Sequence, residues 1–307
     1  MSERSERTGP ASAVSIDIRE VGPRDGLQPE APVPVAARVE LVSTLVAAGV
    51  ATIEVAAFVS PKAVPAMAGA GEVMAALGPA PDGVRYVALV PNAKGAELAL
   101  AAGLSALTLT VSASEAYSQR NVRMSVEESL GQVAAVRAVV GPSVALDVVV
   151  SCAFGSPYEG EMAPGEVAAL GARARSSGAD ALTYADTTGM ATPRRVAELV
   201  AETGPAVGLH LHDTRGTALV NAYAAMSLGV RRFDTAVGGL GGSPFAAGAG
   251  GNLATEDLVH LCDDLGVATG ISLEGVLAAS AQVADLVGHV VPSRVAAAGP
   301  RSRLHPA

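Results

Sequence analysis

The sequence predicts a single (β/α)₈ TIM barrel with an extra C-terminal helix, and three observations carry that prediction. Eight short β-like apolar runs alternate with longer helical ones. A glycine repeatedly closes a helix just before the next run, as helix C-caps prefer. The length, 307 residues, is ordinary for one such barrel, typically about 250 residues plus extensions. Strand-then-helix repetition points to a parallel sheet, because parallel strands need crossover helices. Eight units favour a closed barrel over an open doubly wound sheet.

The elements follow in order. A strand over 15–20 leads to a helix over 35–48, closed by Gly49. The second strand, 51–56, precedes a helical run over 63–77. The third, 84–89, precedes a helix over 93–102, closed by Gly103. The fourth, 106–111, is followed by a helix over 125–140, and the fifth, 144–150, by one over 165–177. Strand 181–185 precedes helix 193–203, strand 207–212 precedes helix 218–228, and strand 231–237 precedes helix 255–265. A last helix covers 273–290. No Pro- or Ser-rich linker divides the chain. Residues 14–292 therefore form one domain, with loose ends at the polar segment 1–13 and at 293–307, where Gly299, Pro300 and Pro306 fall.

Composition narrows the function classes. Half the residues are hydrophobic, but aromatics make up 3 % and Trp is absent, so Ala, Val and Leu must build the core. The net charge of −9, with scattered basic residues, argues against nucleic-acid binding, which needs a basic patch or stripe. Cys152 and Cys262 form no CxxC pair, and one disulfide would be unusual support for so long a chain, so a reduced cytoplasm is expected. The N-terminus has no apolar core for a signal peptide, and no apolar stretch is long enough to span a membrane.

In this fold active sites lie on the loops after the strands, and there the polar and glycine-rich segments fall. His210-Leu-His212 ends the seventh strand. Side chains two apart on a strand face the same way, so both imidazoles would point into the barrel mouth. Either they hold a metal or they are polar strand-end groups satisfied by neighbours. Asp25 and Asn252 lie on loops that barrel closure brings near and offer oxygen ligands. Two imidazoles plus oxygens, with no thiolate, suit Mg²⁺ or Mn²⁺; a two-His, one-carboxylate set also serves non-haem Fe²⁺, and Zn²⁺ uses similar donors. Arg24 is either an electrostatic stabiliser over a developing negative oxygen or a rim arginine in an ion pair. Glu54 and Asp186 are strand-associated carboxylates that need partners and could orient a His or an Arg. The glycine-rich run 238–251 reads as a lid, a backbone-lined anion site or a plain long loop. Cys262 falls at a helical core position.

These segments resemble 3-hydroxy-3-methylglutaryl-CoA lyase, within the metal-dependent lyase superfamily that includes isopropylmalate synthase. The resemblance runs from about Ile16 to Val290. It rests on EVGPRDGLQ at 20–28, FVSPK at 58–62, PYEG at 157–160, HLHDT at 210–214 and GLGGSPFAAGAGGNLATED at 239–257. It implies a (β/α)₈ barrel, a divalent cation held by Asp25, His210, His212 and Asn252, and an acyl-CoA substrate. Arg24 would stabilise the enolate-like oxygen of the departing thioester fragment. Glu54, Asp186 and Glu256 would support the ligands and the acid–base relay, in which His210 also counts as catalytic. Gln28, Lys62, Gly241 and Gly242 are the substrate-binding candidates within the same motifs. The family suggests a homodimer, and a place either in leucine breakdown or in the specialised metabolism of a high-GC bacterium.

One residue departs from the family pattern. The glycine-rich loop normally carries a Cys where this chain has Ser243, and that Cys is taken to protonate the departing carbanion. A thiol has a free pKa of about 8.5, and an alcohol is a far weaker acid. Cys152 is a substitute donor or, more simply, a structural residue. The departure opens alternatives: another 3-hydroxyacyl-CoA such as a citramalyl-CoA, a free hydroxy acid, or an acyl-CoA-binding barrel with impaired turnover. A non-haem iron oxygenase shares the His/His/carboxylate set, but its usual jelly-roll scaffold contradicts the helix–strand alternation.

Overall fold

The computed structural model describes residues 14–242, 250–301 and 303. Its elements, in chain order, are β1 (Asp17–Glu20), α1 (Val35–Ala47), β2 (Thr52–Ala57), α2 (Ala70–Leu77), β3 (Arg85–Leu89), α3 (Ala93–Ala101), β4 (Ala106–Ser112), α4 (Glu115–Asn121), α5 (Val126–Val140), β5 (Ala145–Ser151), α6 (Pro164–Ser176), β6 (Ala181–Ala185), α7 (Pro193–Thr203), β7 (Gly208–His210), α8 (Ala218–Ser227), β8 (Arg232–Thr235), α9 (Thr255–Leu265), α10 (Leu273–Val287) and α11 (Arg294–Ala298). Each strand pairs in parallel with the next, and β8 pairs with β1, so the sheet closes as the alternation predicts. No helix among the described residues is long and apolar enough to cross a membrane.

Strand periodicity divides the side chains between two environments. One set is apolar and buried with the inner faces of the helices: Ile53 and Val55 of β2, Leu107 and Leu109 of β4, and Leu146, Val148 and Val150 of β5 are at most 1 % exposed. Leu41, Val42 and Leu45 of α1 and Val133 and Val136 of α5 join the same core. The other set points into the lumen, as contacts between strands that are not neighbours prove. Arg19 of β1 reaches Asp147 of β5, and Thr108 of β4 reaches Glu54 of β2. This middle layer is polar, whereas barrels of this type commonly fill it with branched aliphatics.

Three local features differ from the sequence expectation. The helical run over 63–77 is split into a short 3₁₀ turn, Pro65–Met67, and α2, with Gly69 between them at φ 78°. An extra helix, α4, follows β4, capped by the Ser114 hydroxyl accepting from the Tyr117 N–H. The expected loose end contains a helix, α11, at Arg294–Ala298. The Asp257 carboxylate accepts from the Ser293 hydroxyl at 2.7 Å and from the backbone N–H groups of Val295 at 2.9 Å and Arg294 at 3.2 Å. These are the N–H groups a helix start leaves without partners, and an anion there also suits the helix dipole.

Removing Asp257, which supports the N-cap Ser293 (itself accepting from Ala296 N at 3.0 Å), tests how α11 docks. Asp257→Ala is expected to lower stability by about 1–3 kcal/mol and to speed tryptic cleavage after Arg294, followed by mass spectrometry. Unchanged cleavage would show that α11 docks without Asp257.

Candidate metal and acid–base site

The loop after β1 is where the site begins. Residues Gly22–Gly26 form one π-helical turn, with the N–H groups of Asp25 and Gly26 both bonded to the Val21 carbonyl, at 2.7 and 3.2 Å. The turn is anchored from below by Glu20, whose side chain is fully buried. One Glu20 oxygen accepts from Gly22 N at 2.7 Å and Val237 N at 2.9 Å, and the other from the Thr255 hydroxyl. Glu20 thereby ties the ends of β1, β8 and α9 together. A Cβ on Gly22 would lie 2.6 Å from the Glu20 oxygen and 3.0 Å from Val237 Cγ1, so a side chain there would push the clamp aside. The turn presents Arg24 and Asp25 on adjacent positions toward the mouth.

The second half of the site arrives from beyond β8. The segment around Asn252 extends the ladder above β7 and β8: Leu253 N bonds Leu211 O at 2.8 Å, Asp213 N bonds Gly251 O at 2.8 Å, and Ala236 N bonds Leu253 O at 3.0 Å. His212 and Asn252 are directly bridged across this extension. The approach is so close that a Cβ on Gly251 would fall 1.8 Å from the Gly239 carbonyl oxygen.

Four side chains converge. The Nε2 atoms of His210 and His212 are 3.0 Å apart, and Asp25 Oδ2 lies 3.8 Å from His210 Nε2. Asn252 Nδ2 donates to the same Asp25 oxygen at 2.8 Å, and to the Leu240 carbonyl at 2.9 Å. Asp25, His210 and His212 each offer a ligand atom within 4.8 Å of the others. The opposite ring nitrogens fix the tautomers. His212 Nδ1 donates to the Gly250 carbonyl at 3.1 Å, and His210 Nδ1 donates to Asp234 at 3.1 Å. Both Nε2 lone pairs are therefore directed into one space beside a carboxylate, with the Asn252 Oδ1 atom buried and without a protein partner. That donor set fits a divalent cation.

The electrostatics agree. Burial opposes the Asp25 charge, but Arg24, the two imidazoles and the Asn252 amide outweigh it and hold the carboxyl down at about 2. Burial also opposes a charge on His210, yet the Asp234 hydrogen bond and the Asp25 and Asp234 charges leave its pKa raised. His212 is pushed down to about 4 by burial and by its neighbour His210. Arg24 is buried, with Nε paired to Glu54 and Nη1 to Asp25 Oδ1 at 2.7 Å; Thr108 donates to the other Glu54 oxygen. Arg24 is thus a locked interior cation, and the rim ion pair does not apply.

The remaining predicted residues fall around this centre at different distances. Asp186 abuts it through its backbone, whose N–H bonds the His210 carbonyl at 2.8 Å. One Asp186 oxygen accepts from Met190 N and Ala191 N, the other is buried without a partner, and burial pushes the carboxyl up to about 7. Glu256 is buried behind the mouth, where both its oxygens lie 3.1 Å from the Gly238 N–H; it touches none of the four converging side chains among the contacts described. Gly241 borders the cluster so closely that a Cβ would lie 2.3 Å from Asn252 Nδ2. Gly242 is partly exposed beside it, Gln28 is half-buried just after the π turn, and Lys62 is exposed on the loop after β2. Ser243 lies outside the described residues. Cys152 is buried in a left-handed conformation at φ 55°, and burial pushes its thiol up to about 12, which suits a structural residue better than a proton donor. Cys262 is buried in the core.

Sequence reading missed Asp234, Thr108 and the anchoring role of Glu20. The signal for Asp234 is its strand position, since a carboxylate inside a buried strand needs a partner. Its register opposite His210 names that partner.

Comparison with known proteins follows the same geometry. The sequence model of the HMGL-like family matches residues 15–283. The chain is 43 % identical to hydroxymethylglutaryl-CoA lyase of Pseudomonas mevalonii, covering 91 % of this chain and 95 % of that protein. It is 42 % identical to (R)-citramalyl-CoA lyase of Chloroflexus aurantiacus, covering 93 % and 95 %. It superposes at a TM-score of 0.92, with 38 % identity and 97 % and 100 % coverage, on an HMG-CoA lyase from Acinetobacter baumannii in complex with coenzyme A and 3-methylmalate.

Glu20 provides a test by pH. Burial, working against the hydrogen bonds from Thr255, Val237 and Gly22, pushes its carboxyl up to about 7, above the unfolded value of about 4.3. Between those values the native state binds more protons than the unfolded chain, so the Glu20 contribution to stability falls as pH rises. Glu20→Gln can keep the two backbone hydrogen bonds on its amide oxygen and donate its NH2 to the Thr255 hydroxyl in place of accepting from it, without a charge. Its melting temperature relative to the native protein is expected to improve by about 2–5 °C from pH 5 to pH 8 in calorimetry. A constant difference would refute the raised pKa.

Proposed function

The chain belongs to the HMGL-like family of carbon–carbon lyases, and from that premise we propose that it cleaves a 3-hydroxy-3-methylglutaryl-CoA-like thioester to acetyl-CoA and acetoacetate, with Mg²⁺ or Mn²⁺ as cofactor. The observation that carries this reading is the convergence of Asp25, two imidazole lone pairs and Asn252 at the mouth of a closed barrel, with Arg24 locked beside them. The coenzyme A complex of the Acinetobacter relative supports a CoA thioester as substrate.

Asp25, His210, His212 and Asn252 would hold the cation, which when bound supplies Lewis-acid stabilisation to the substrate's hydroxyl and carboxylate oxygens. The 3-hydroxyl passes its proton to the acid–base relay, and the bond between C2 and C3 breaks with its electron pair passing to the thioester. The resulting enolate takes a proton at C2 to become acetyl-CoA, and the former carbinol carbon leaves as the ketone of acetoacetate. Arg24 donates hydrogen bonds to the thioester oxygen as its charge develops, an interaction stronger in the transition state than in the ground state. Glu54 fixes the guanidinium for that task, and Thr108 fixes Glu54. Asp186, buried against the His210 strand, belongs to the acid–base relay.

A related 3-hydroxyacyl-CoA, such as a citramalyl-CoA, is the second reading. It is favoured by the Chloroflexus relative and by Ser243, which replaces the thiol acid that the family carries in its glycine-rich loop.

Acetyl-CoA release from hydroxymethylglutaryl-CoA, with Mg²⁺ or Mn²⁺ and with EDTA, decides between the readings. Metal-dependent release by the native protein establishes the first. Release only after Ser243→Cys means that the chemistry persists but the acid for this substrate is missing, and citramalyl-CoA becomes the substrate to test. A His210→Ala protein with full activity would remove the metal from the mechanism. Arg24→Gln is expected to lower kcat by about 10²–10³-fold.

A further inference from the structure

Beneath the converging ligands the barrel interior carries charge where an aliphatic layer is usual. Arg19 of β1 grips Asp234 of β8 with two parallel bonds, Nε to Oδ1 at 2.8 Å and Nη2 to Oδ2 at 2.7 Å. Its third nitrogen, Nη1, donates to Asp147 of β5 at 2.8 Å, and Thr183 of β6 donates to the same Asp147 oxygen at 2.7 Å. The side chains of Arg19, Asp147 and Asp234 are 12 %, 14 % and 7 % exposed. A cavity of about 420 Å³ opens below them, at the end of the barrel opposite the metal cluster. Gly208 of β7 is small to admit the layer, since a Cβ there would lie 2.6 Å from the Thr183 hydroxyl and 2.8 Å from an Arg232 nitrogen.

Desolvating ions is costly, and a buried ion pair is often no more stable than well-packed apolar side chains of the same volume. Stability alone is therefore a poor reason for this layer. Its geometry supplies another. Asp234 Oδ2 accepts two hydrogen bonds, one from Arg19 and one from His210 Nδ1 at 3.1 Å. A carboxylate held by one imidazole alone can rotate about its terminal bond. Gripped in plane by a guanidinium fork, it presents one fixed acceptor to Nδ1.

We propose that Arg19 is a positioning residue for the metal ligand His210: by clamping Asp234 it holds the His210 proton on Nδ1 and the lone pair on Nε2, directed at Asp25 and His212. The inference rests on the metal reading above and extends it to a residue on the far side of the barrel floor. Arg19 touches none of the four ligands among the contacts described, and it acts through Asp234. Asp147 serves a different end, as a second partner for the Arg19 charge, so its loss leaves the fork on Asp234 intact.

The test uses the full-length protein. Mn²⁺ affinity is read from the free-ion electron paramagnetic resonance signal at pH 7.5, and the His210 tautomer from ¹⁵N shifts of histidine-labelled protein. Arg19→Lys keeps the charge and loses the fork. It is expected to weaken Mn²⁺ binding by about 10–100-fold and to mix the His210 tautomers, while Asp147→Asn changes Mn²⁺ affinity by less than about twofold. If Arg19→Lys does not fold, Arg19→Gln carries the same comparison. A folded Arg19 variant with native Mn²⁺ affinity and a pure Nδ1–H tautomer overturns the proposal, leaving Arg19 a structural charge partner. Failure of the native protein itself to bind Mn²⁺ overturns the metal reading and the proposal with it.

Discussion

Two imidazole nitrogens 3.0 Å apart inside a closed barrel impose a constraint on everything near them. Each Nδ1 is committed to an acceptor, the Gly250 carbonyl or Asp234. Both Nε2 atoms therefore carry lone pairs in the neutral state, and two lone pairs facing each other repel. One positive charge between them removes the conflict, as either a proton or a cation. The opposite shifts of the two histidines express this, since a proton on His210 is favoured and a second on His212 is not. Asp25, held ionised, makes the space still more favourable for positive charge.

The barrel is organised to maintain that conflict. Strand parity places His210 and His212 on one face, and the ladder beyond β7 and β8 fixes the Gly250–Asn252 backbone beside them. Glu20 clamps the turn carrying Asp25 to the end of β8 and the start of α9. The two ligand-bearing loops are thus referred to one rigid frame rather than to each other. Small residues make this possible. Gly22, Gly241 and Gly251 lie where a single methyl group would collide with a carboxylate, an amide or a carbonyl. A chain poor in aromatics suits such close approaches, although composition alone did not reveal them.

What could be read from the sequence follows the range of each signal. Eight strands and their closing helices were legible because period and glycine caps are local. His210 and His212 were legible for the same reason, being two apart in extended chain, although β7 ends at His210 and His212 lies just beyond it in the bridge to Asn252. Asp25, Arg24 and Asn252 were recognised through long motifs, while their contacts depend on closure. Asp234 escaped notice because its role exists only through the pairing of β7 with β8, and Arg19 because its partners are on β5 and β8. Glu20 stood within the most conspicuous motif, yet nothing local marks a carboxylate that accepts from two backbone N–H groups and a distant hydroxyl at once. The split before α2 was hidden because Pro65 is compatible with a helix start and Gly69 with a helix stop. The helix α11 carries a local signal, the N-cap Ser293 accepting from Ala296 N at 3.0 Å, but it is one turn long and its second partner, Asp257, lies far upstream in the chain.

The adjacency of Arg24 and Asp25 gains meaning from the two oxygens of Asp25. Oδ1 accepts from Arg24, whereas Oδ2 faces Asn252 and His210. On the proposed reading, one carboxylate therefore serves the cation site and the electrostatic stabiliser together. The π turn sets two neighbouring side chains on one side of the mouth, and Glu54 prevents Arg24 from swinging away. An oxygen that gains negative charge between the cation site and Arg24 meets positive charge already in place, with no reorganisation needed as the charge appears. On the proposed reading protonation of carbon is the separate problem, and among the described residues no group in this centre is a free thiol. That division explains how Ser243 can stand in the glycine-rich loop while the charge-stabilising half of the site stays complete.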